Sequence, residues 1–179
     1  MLMTLISKPM RWKNVGGITE MDGGMLYFAY GSNTDPAQMM ERCPEATLVG
    51  LGYLADHGLC FPRKSKNRRC GVSSVEPKIG HDTWGVVWEL TDTDLSALDR
   101  NEGYRHDRDP AANAYNRRTV TINLNGEWLE TETYVASHQD GKHLPNVAYL
   151  AHLRDGAAHH GLPEPYRAYL EALPHDLSG

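Results

Sequence analysis

The chain has 179 residues, 40% of them apolar and 23% charged, with a formal net charge of −5. That length suits one domain with its own core, and the balance excludes a disordered chain. The negative charge argues against nucleic-acid binding as the main task. Cys43, Cys60 and Cys70, an odd number with no C-x-x-C spacing, suit reduced thiols better than a disulfide framework or a zinc site.

The first 24 residues lack the regularity of the remaining chain and are read as an extension, disordered or upstream of the natural start, with a single domain over 25–179. Met1 to Ile6 is too short an apolar run for a signal peptide, and no stretch reaches membrane-spanning length, so a soluble cytoplasmic protein is expected. Regular structure starts with an apolar strand, Met25-Leu26-Tyr27-Phe28-Ala29, running into Tyr30-Gly31-Ser32-Asn33 and a helix signal at Thr34-Asp35-Pro36. Asp35 as cap and Pro36 in the first turn predict a helix to about Arg42, stopped by Pro44. Such a turn leaves backbone N–H groups free where a helix begins, an arrangement that cradles anions and developing oxyanions. Gly and Ser also suit a plain connection, because Gly permits φ > 0 and Ser satisfies local backbone groups.

Strand-like segments follow at 46–54, 58–61, 71–75 and 83–90. Between the second and third, Arg63 to Arg69 carries five positive side chains, a solvated hairpin loop or a local phosphate patch. Thr91-Asp92-Thr93-Asp94 then signals a helix start, and Gly103 a stop. Leu95, Leu98 and Glu102 follow at steps of three and four, so the apolar face ends in a carboxylate, whereas Asp94, Asp99 and Arg100 fall on other faces and read as solvated. An acid on an apolar face loses hydration when ionised, which raises its pKa and suits a general base. The plainer alternative is a Glu at a frayed helix end, turned to solvent or paired with Arg105. Segments 113–124 and 128–136 flank Asn125-Gly126, a type I′ hairpin signal. After a loop at 137–145, a helix is expected over 146–160 with Val147, Leu150 and Leu153 inward, and a last one over 165–173. Strands outnumber helices and mostly follow one another, so the fold is α+β with a mixed or largely antiparallel sheet. His159 and His160 are adjacent and point to different faces, and no spacing suggests a metal site; no cofactor is expected.

Three motifs carry a resemblance to a known family. The stretch Tyr27 to Asn33 (YFAYGSN), the strand Trp84-Gly85-Val86-Val87-Trp88 leading to Leu98-Asp99-Arg100-Asn101-Glu102-Gly103, and Tyr149 ahead of Gly161-Leu162-Pro163 resemble the gamma-glutamylcyclotransferase family, in order, over about 25–173. The resemblance implies a small, strongly curved β-barrel flanked by helices, with the pocket at one end. It implies Glu102 as the catalytic acid/base, and Tyr27, Phe28, Ala29, Tyr30, Gly31, Ser32 and Tyr149 as substrate-binding residues. It also implies release of 5-oxoproline from a γ-glutamyl amino acid, peptide or amine. The long charged segment after Glu102 and the basic loop depart from the pattern and leave the leaving amine open.

The expected partner is thus a small-molecule γ-glutamyl substrate, with neither nucleic acid nor membrane, and a homodimer is left open. Two readings compete. One is a non-catalytic module of the same fold that binds γ-glutamyl or amino-acid ligands. The other is a hydrolase with Ser32 as nucleophile and His57 or His81 as base, which no G-x-S-x-G elbow supports.

Overall fold

The computed structural model describes residues 13–15, 18–20 and 24–176. The extension expected over 1–24 therefore lies mostly outside the described residues. Within it, β1 (Lys13–Val15) and β2 (Ile18–Glu20) pair antiparallel, a short hairpin that the sequence pattern did not signal.

Five strands close into a barrel: β3 (Met25–Ala29), β4 (Thr47–Leu54), β7 (Thr83–Leu90), β8 (Tyr115–Leu124) and β9 (Glu127–Ala136), in the order β3-β7-β4-β8-β9. Every neighbouring pair is antiparallel except the closing one, β3 with β9, which runs parallel through Tyr27↔Glu132. Closure leaves the barrel without an open edge. The remaining strands, β5 (His57–Lys64) and β6 (Gly71–Pro77), form a separate two-stranded sheet joined by the basic loop. Asn125 and Gly126 have φ of 54° and 94°, as a type I′ turn demands, and they set the register Leu124↔Glu127 between β8 and β9.

Helix α1 (Pro36–Arg42) follows a 3₁₀ turn at Ser32–Thr34 and is capped by the Asp35 side chain, which accepts from Ala37 N–H at 2.9 Å. Helix α2 (Asp92–Glu102) begins with Thr91 accepting from Asp94 N–H at 3.1 Å and ends at Gly103 in the left-handed region, φ 67°. Helices α3 (Val147–His160) and α4 (Glu164–Glu171) pack together.

Along β3 the side chains alternate between two cores. Tyr27 and Ala29 join Met39 of α1 and Leu95 and Leu98 of α2, while Leu26, Phe28 and Tyr30 join Val87, Ile122 and Leu124. Burial on both faces explains why this strand reads as an unbroken apolar run. Leu150 and Leu153 of α3 are buried as expected, but Val147 is 51% exposed, because it stands in the first turn before the helix meets its neighbours. Asp94 is buried rather than solvated, tucked under the first turn of α2 beside Cys43, whose thiol approaches its carbonyl at 3.5 Å. Burial pushes the Cys43 and Cys60 thiols up to about 12, which makes them packing groups rather than nucleophiles.

Candidate active site

Glu102 stands at the last position of α2, and its side chain is 13% exposed. The apolar step from Leu98, fully buried, carries it inward. Its Oε1 accepts from Arg42 Nη1 at 3.0 Å and from Asn33 Nδ2 at 3.1 Å, and these are not the partners that sequence spacing suggested. Arg105 pairs instead with Asp107, two residues on. Burial raises the Glu102 pKa above the usual carboxylate range, although Arg42, Asn33 and Arg68 all pull the other way.

Asn33 organises this corner. It is buried, donates to Tyr27 Oη (2.9 Å) and Glu102 Oε1, and accepts from Gln38 Nε2 and Arg42 Nη1, both at 2.9 Å. Two donors and two lone pairs are thereby used, so the amide is held in one orientation. The 3₁₀ turn places Asn33, and α1 presents Gln38 and Arg42 one turn apart toward it.

A small cavity of about 30 Å³ adjoins Glu102 and is lined by Tyr27, Tyr30, Tyr115, Tyr134 and Tyr149 together with Gly31, Ser32, Asn33 and Ser73. Most of these hydroxyls are already engaged. Tyr149 Oη accepts from Ser73 N–H (3.0 Å) and bonds Ser73 Oγ (2.7 Å), and Tyr115 Oη donates to the Ser73 carbonyl (2.8 Å). Tyr30 Oη donates to the Tyr134 carbonyl. Ser32, Glu102, Tyr115 and Tyr149 also line a cleft of about 560 Å³ that leads outward.

A side chain at position 31 would have to displace Ser73 Oγ. The Gly31 φ is −107°, so it is not the left-handed conformation that calls for glycine here; the reason is space. A Cβ at Gly31 would lie 2.3 Å from Ser73 Oγ. The turn's own backbone bonds run from Thr34 N–H to the Gly31 carbonyl (3.0 Å) and from Asp35 N–H to the Ser32 carbonyl (3.2 Å). They leave the Gly31 and Ser32 N–H groups outside the turn's ladder.

Of the residues expected at the site, Tyr27, Tyr30, Gly31, Ser32, Glu102 and Tyr149 meet around this cavity. Phe28 and Ala29 do not; both are fully buried in the core and serve the strand that carries their neighbours. Ser32 Oγ accepts from Gln38 Nε2 at 2.8 Å, and His57 and His81 line a different cavity, so neither stands where it could serve Ser32 as a base. Asn33, Gln38, Arg42, Ser73, Tyr115 and Tyr134 were missed. Asn33 had a signal, since it follows the glycine turn directly; Gln38 and Arg42 reach Asn33 from the helix that follows, while Ser73, Tyr115 and Tyr134 come in from distant strands.

The comparisons with known proteins agree with this fold. The model of the AIG2-like family matches residues 82–170. A gamma-glutamylcyclotransferase from Bos taurus is 28% identical over 169 residues, 90% of this chain and 86% of its own length. One from Homo sapiens is 28% identical over 160 residues, 86% of this chain and 81% of its own. A solved structure named gamma-glutamyl cyclotransferase superposes with a TM-score of 0.79 at 26% identity, covering 87% of this chain and 92% of that one. The chain belongs to the AIG2-like, gamma-glutamylcyclotransferase family. No helix among the described residues is long and apolar enough to cross a membrane.

Proposed function

We propose that the protein is a gamma-glutamylcyclotransferase that releases 5-oxoproline and a free amine from a γ-glutamyl compound, with Glu102 as general acid/base. The observation that carries this reading is the Glu102 carboxylate, buried beside a tyrosine-lined cavity with both of its donors on a single oxygen. The names of the relatives support the same activity.

The α-amine of the substrate is the nucleophile. It arrives protonated, with a pKa of roughly 8, and must lose that proton before it can attack. Glu102 Oε2, left outside the pairing with Arg42 and Asn33, takes the proton. The amine nitrogen then bonds to the γ-carbonyl carbon, closing a five-membered ring and placing negative charge on the carbonyl oxygen. The N–H groups of Gly31 and Ser32 suit either this oxyanion or the substrate α-carboxylate. Collapse breaks the bond to the departing nitrogen, which receives the proton from Glu102, and the ring nitrogen gives up its remaining extra proton to the freed carboxylate, which passes it to solvent. Burial serves this role, because a raised pKa brings the carboxylate closer to that of the amine it must deprotonate.

A screen of γ-glutamyl amino acids, peptides and amines for 5-oxoproline, run on the native protein and on Glu102→Gln, tests the proposal. Release by the native protein, lost in the variant, is expected. Binding of these compounds without any 5-oxoproline would instead identify a non-catalytic ligand-binding module.

A further inference from the structure

The cleft leading outward from Glu102 carries a charge that the chemistry at Glu102 does not use. Its wall holds Arg42, Arg63, Lys66, Arg68 and Arg100, and Glu102 is its single carboxylate. Arg42 is already paired with Glu102 at 3.0 Å. Among the described residues, none of the other four forms a salt bridge.

Two of the four are fixed by uncharged partners. Arg63 Nη1 donates to the carbonyls of Ala114 (2.8 Å) and Ser137 (3.2 Å). Arg68 donates to Gln38 Oε1, and its guanidinium lies 5.1 Å from the centre of the Tyr149 ring. Both are half-buried, so their positions are set although neither is in an ion pair. Lys66 and Arg100 stand exposed at the rim. This positive cleft belongs to a chain of net charge −5, so the reversal of sign is local. A concave wall of one sign focuses its field on whatever enters.

On the cyclotransferase reading, which this inference rests on, the glutamyl half sits against Glu102 and the tyrosines. The amine half then points into the cleft. We infer that this amine half carries two negative charges, as an acidic amino acid or a chain ending in one does, and that Arg63, Lys66, Arg68 and Arg100 receive it. Guanidinium groups with fixed planes favour carboxylates over neutral groups. An uncharged amine would leave all four cations without an ion-pair partner.

Three compounds with the same glutamyl half test this: γ-glutamylmethylamine, γ-glutamylalanine and γ-glutamylglutamate, whose amine halves carry no, one and two negative charges. At low salt kcat/KM should rise at each step by about tenfold, the scale of one hydrogen bond to a charged group, and the steps should shrink as salt is added. Lys66→Glu and Arg100→Glu, both exposed positions, should each lower the ratio of kcat/KM for the dianionic over the neutral compound, with unchanged melting curves showing that the fold is kept. A flat series, or a ratio that survives both reversals, overturns the inference. Calorimetric binding of the same compounds separates this idea from the one beneath it. Binding in charge order without 5-oxoproline upholds the subsite and overturns the cyclotransferase reading. Turnover without charge order does the reverse, and neither binding nor turnover overturns both.

Discussion

Asp99 and Glu102 leave α2 three residues apart, and each meets one arginine and one uncharged donor. Asp99 divides its partners: Oδ1 accepts from Tyr134 Oη at 2.6 Å and Oδ2 from Arg117 Nη1 at 3.0 Å. Glu102 gathers both of its partners, Arg42 and Asn33, on Oε1. Their exposures, 22% and 13%, are close, so depth alone does not separate them. The difference lies in which lone pairs are used. Asp99 is a closed pair that ties β8 and β9 to α2, whereas Glu102 is half open beside a cavity. Glu102 is set apart from Asp99 by the lopsidedness of its hydrogen bonds, and neither burial nor an arginine partner would have picked it out.

Substitution at the open carboxylate should have the largest effect. Glu102→Gln keeps the shape and can still accept from Arg42 and Asn33, but it cannot take a proton. Turnover should fall by roughly 10² to 10⁴, with ligand binding and the melting temperature largely kept. More than about a tenth of the activity remaining would break the comparison at its centre. Gly31→Val comes next. Its Cβ would collide with Ser73 Oγ, which holds Tyr149, so activity should drop by about 10²-fold from misplacement alone. Ser32→Ala should be milder, since that hydroxyl only accepts from Gln38. A dead Ser32→Ala beside an active, folded Gly31→Val would restore the serine-nucleophile reading.

The closed carboxylate should answer in stability instead. Asp99→Asn removes the charge opposite Arg117 and should cost about 1–3 kcal/mol in urea unfolding, with little change in turnover. A loss of activity without a loss of stability would erase the distinction between the two carboxylates. The smallest effect is a displacement in pH. Glu102 must be ionised to accept the amine proton, so kcat/KM should decline on the acid side through a pKa that burial has raised. Arg42 lowers that pKa, and Arg42→Gln should therefore move the acid limb to higher pH. A limb that stays in place or moves down would show that Arg42 does not tune Glu102.

Much of the fold could be read from local rules. The cap at Asp35, the Thr91 start, the Gly103 stop and the Asn125-Gly126 turn each act within a few residues, and the elements they bound lie close to where they were expected. Glu102 could be read for the same reason, since Leu95 and Leu98 set its face. What could not be read depends on contacts across the chain. Arg42 and Asn33 reach Glu102 over 60 and 69 residues, and Tyr134 reaches Asp99 over 35. Nothing near Arg42 in sequence distinguishes it from a basic residue favoured at a helix end. Asp94 and Val147 were placed on the wrong side of the surface because helical spacing gives a face, not the depth at which a first turn meets its neighbours. The parallel closure of β3 on β9 has no local signal either, because a single register pair joins them.

The same two carboxylates also differ in when their partners are made. Asn33 and Arg42 leave the ribosome before Glu102, whereas Arg117 and Tyr134 leave after Asp99. The strand β3 and its antiparallel neighbour β7, with α1 and α2, lie within residues 25–102, so both hydrogen-bond donors to Glu102 are synthesised before β8 and β9 exist. The hairpin of β8 and β9 then arrives as a late unit, zipped by its own two-residue turn, and brings Asp99 both of its partners at once. Synthesis order thus supplies the donors of Glu102 first and the clasp that seals the barrel last.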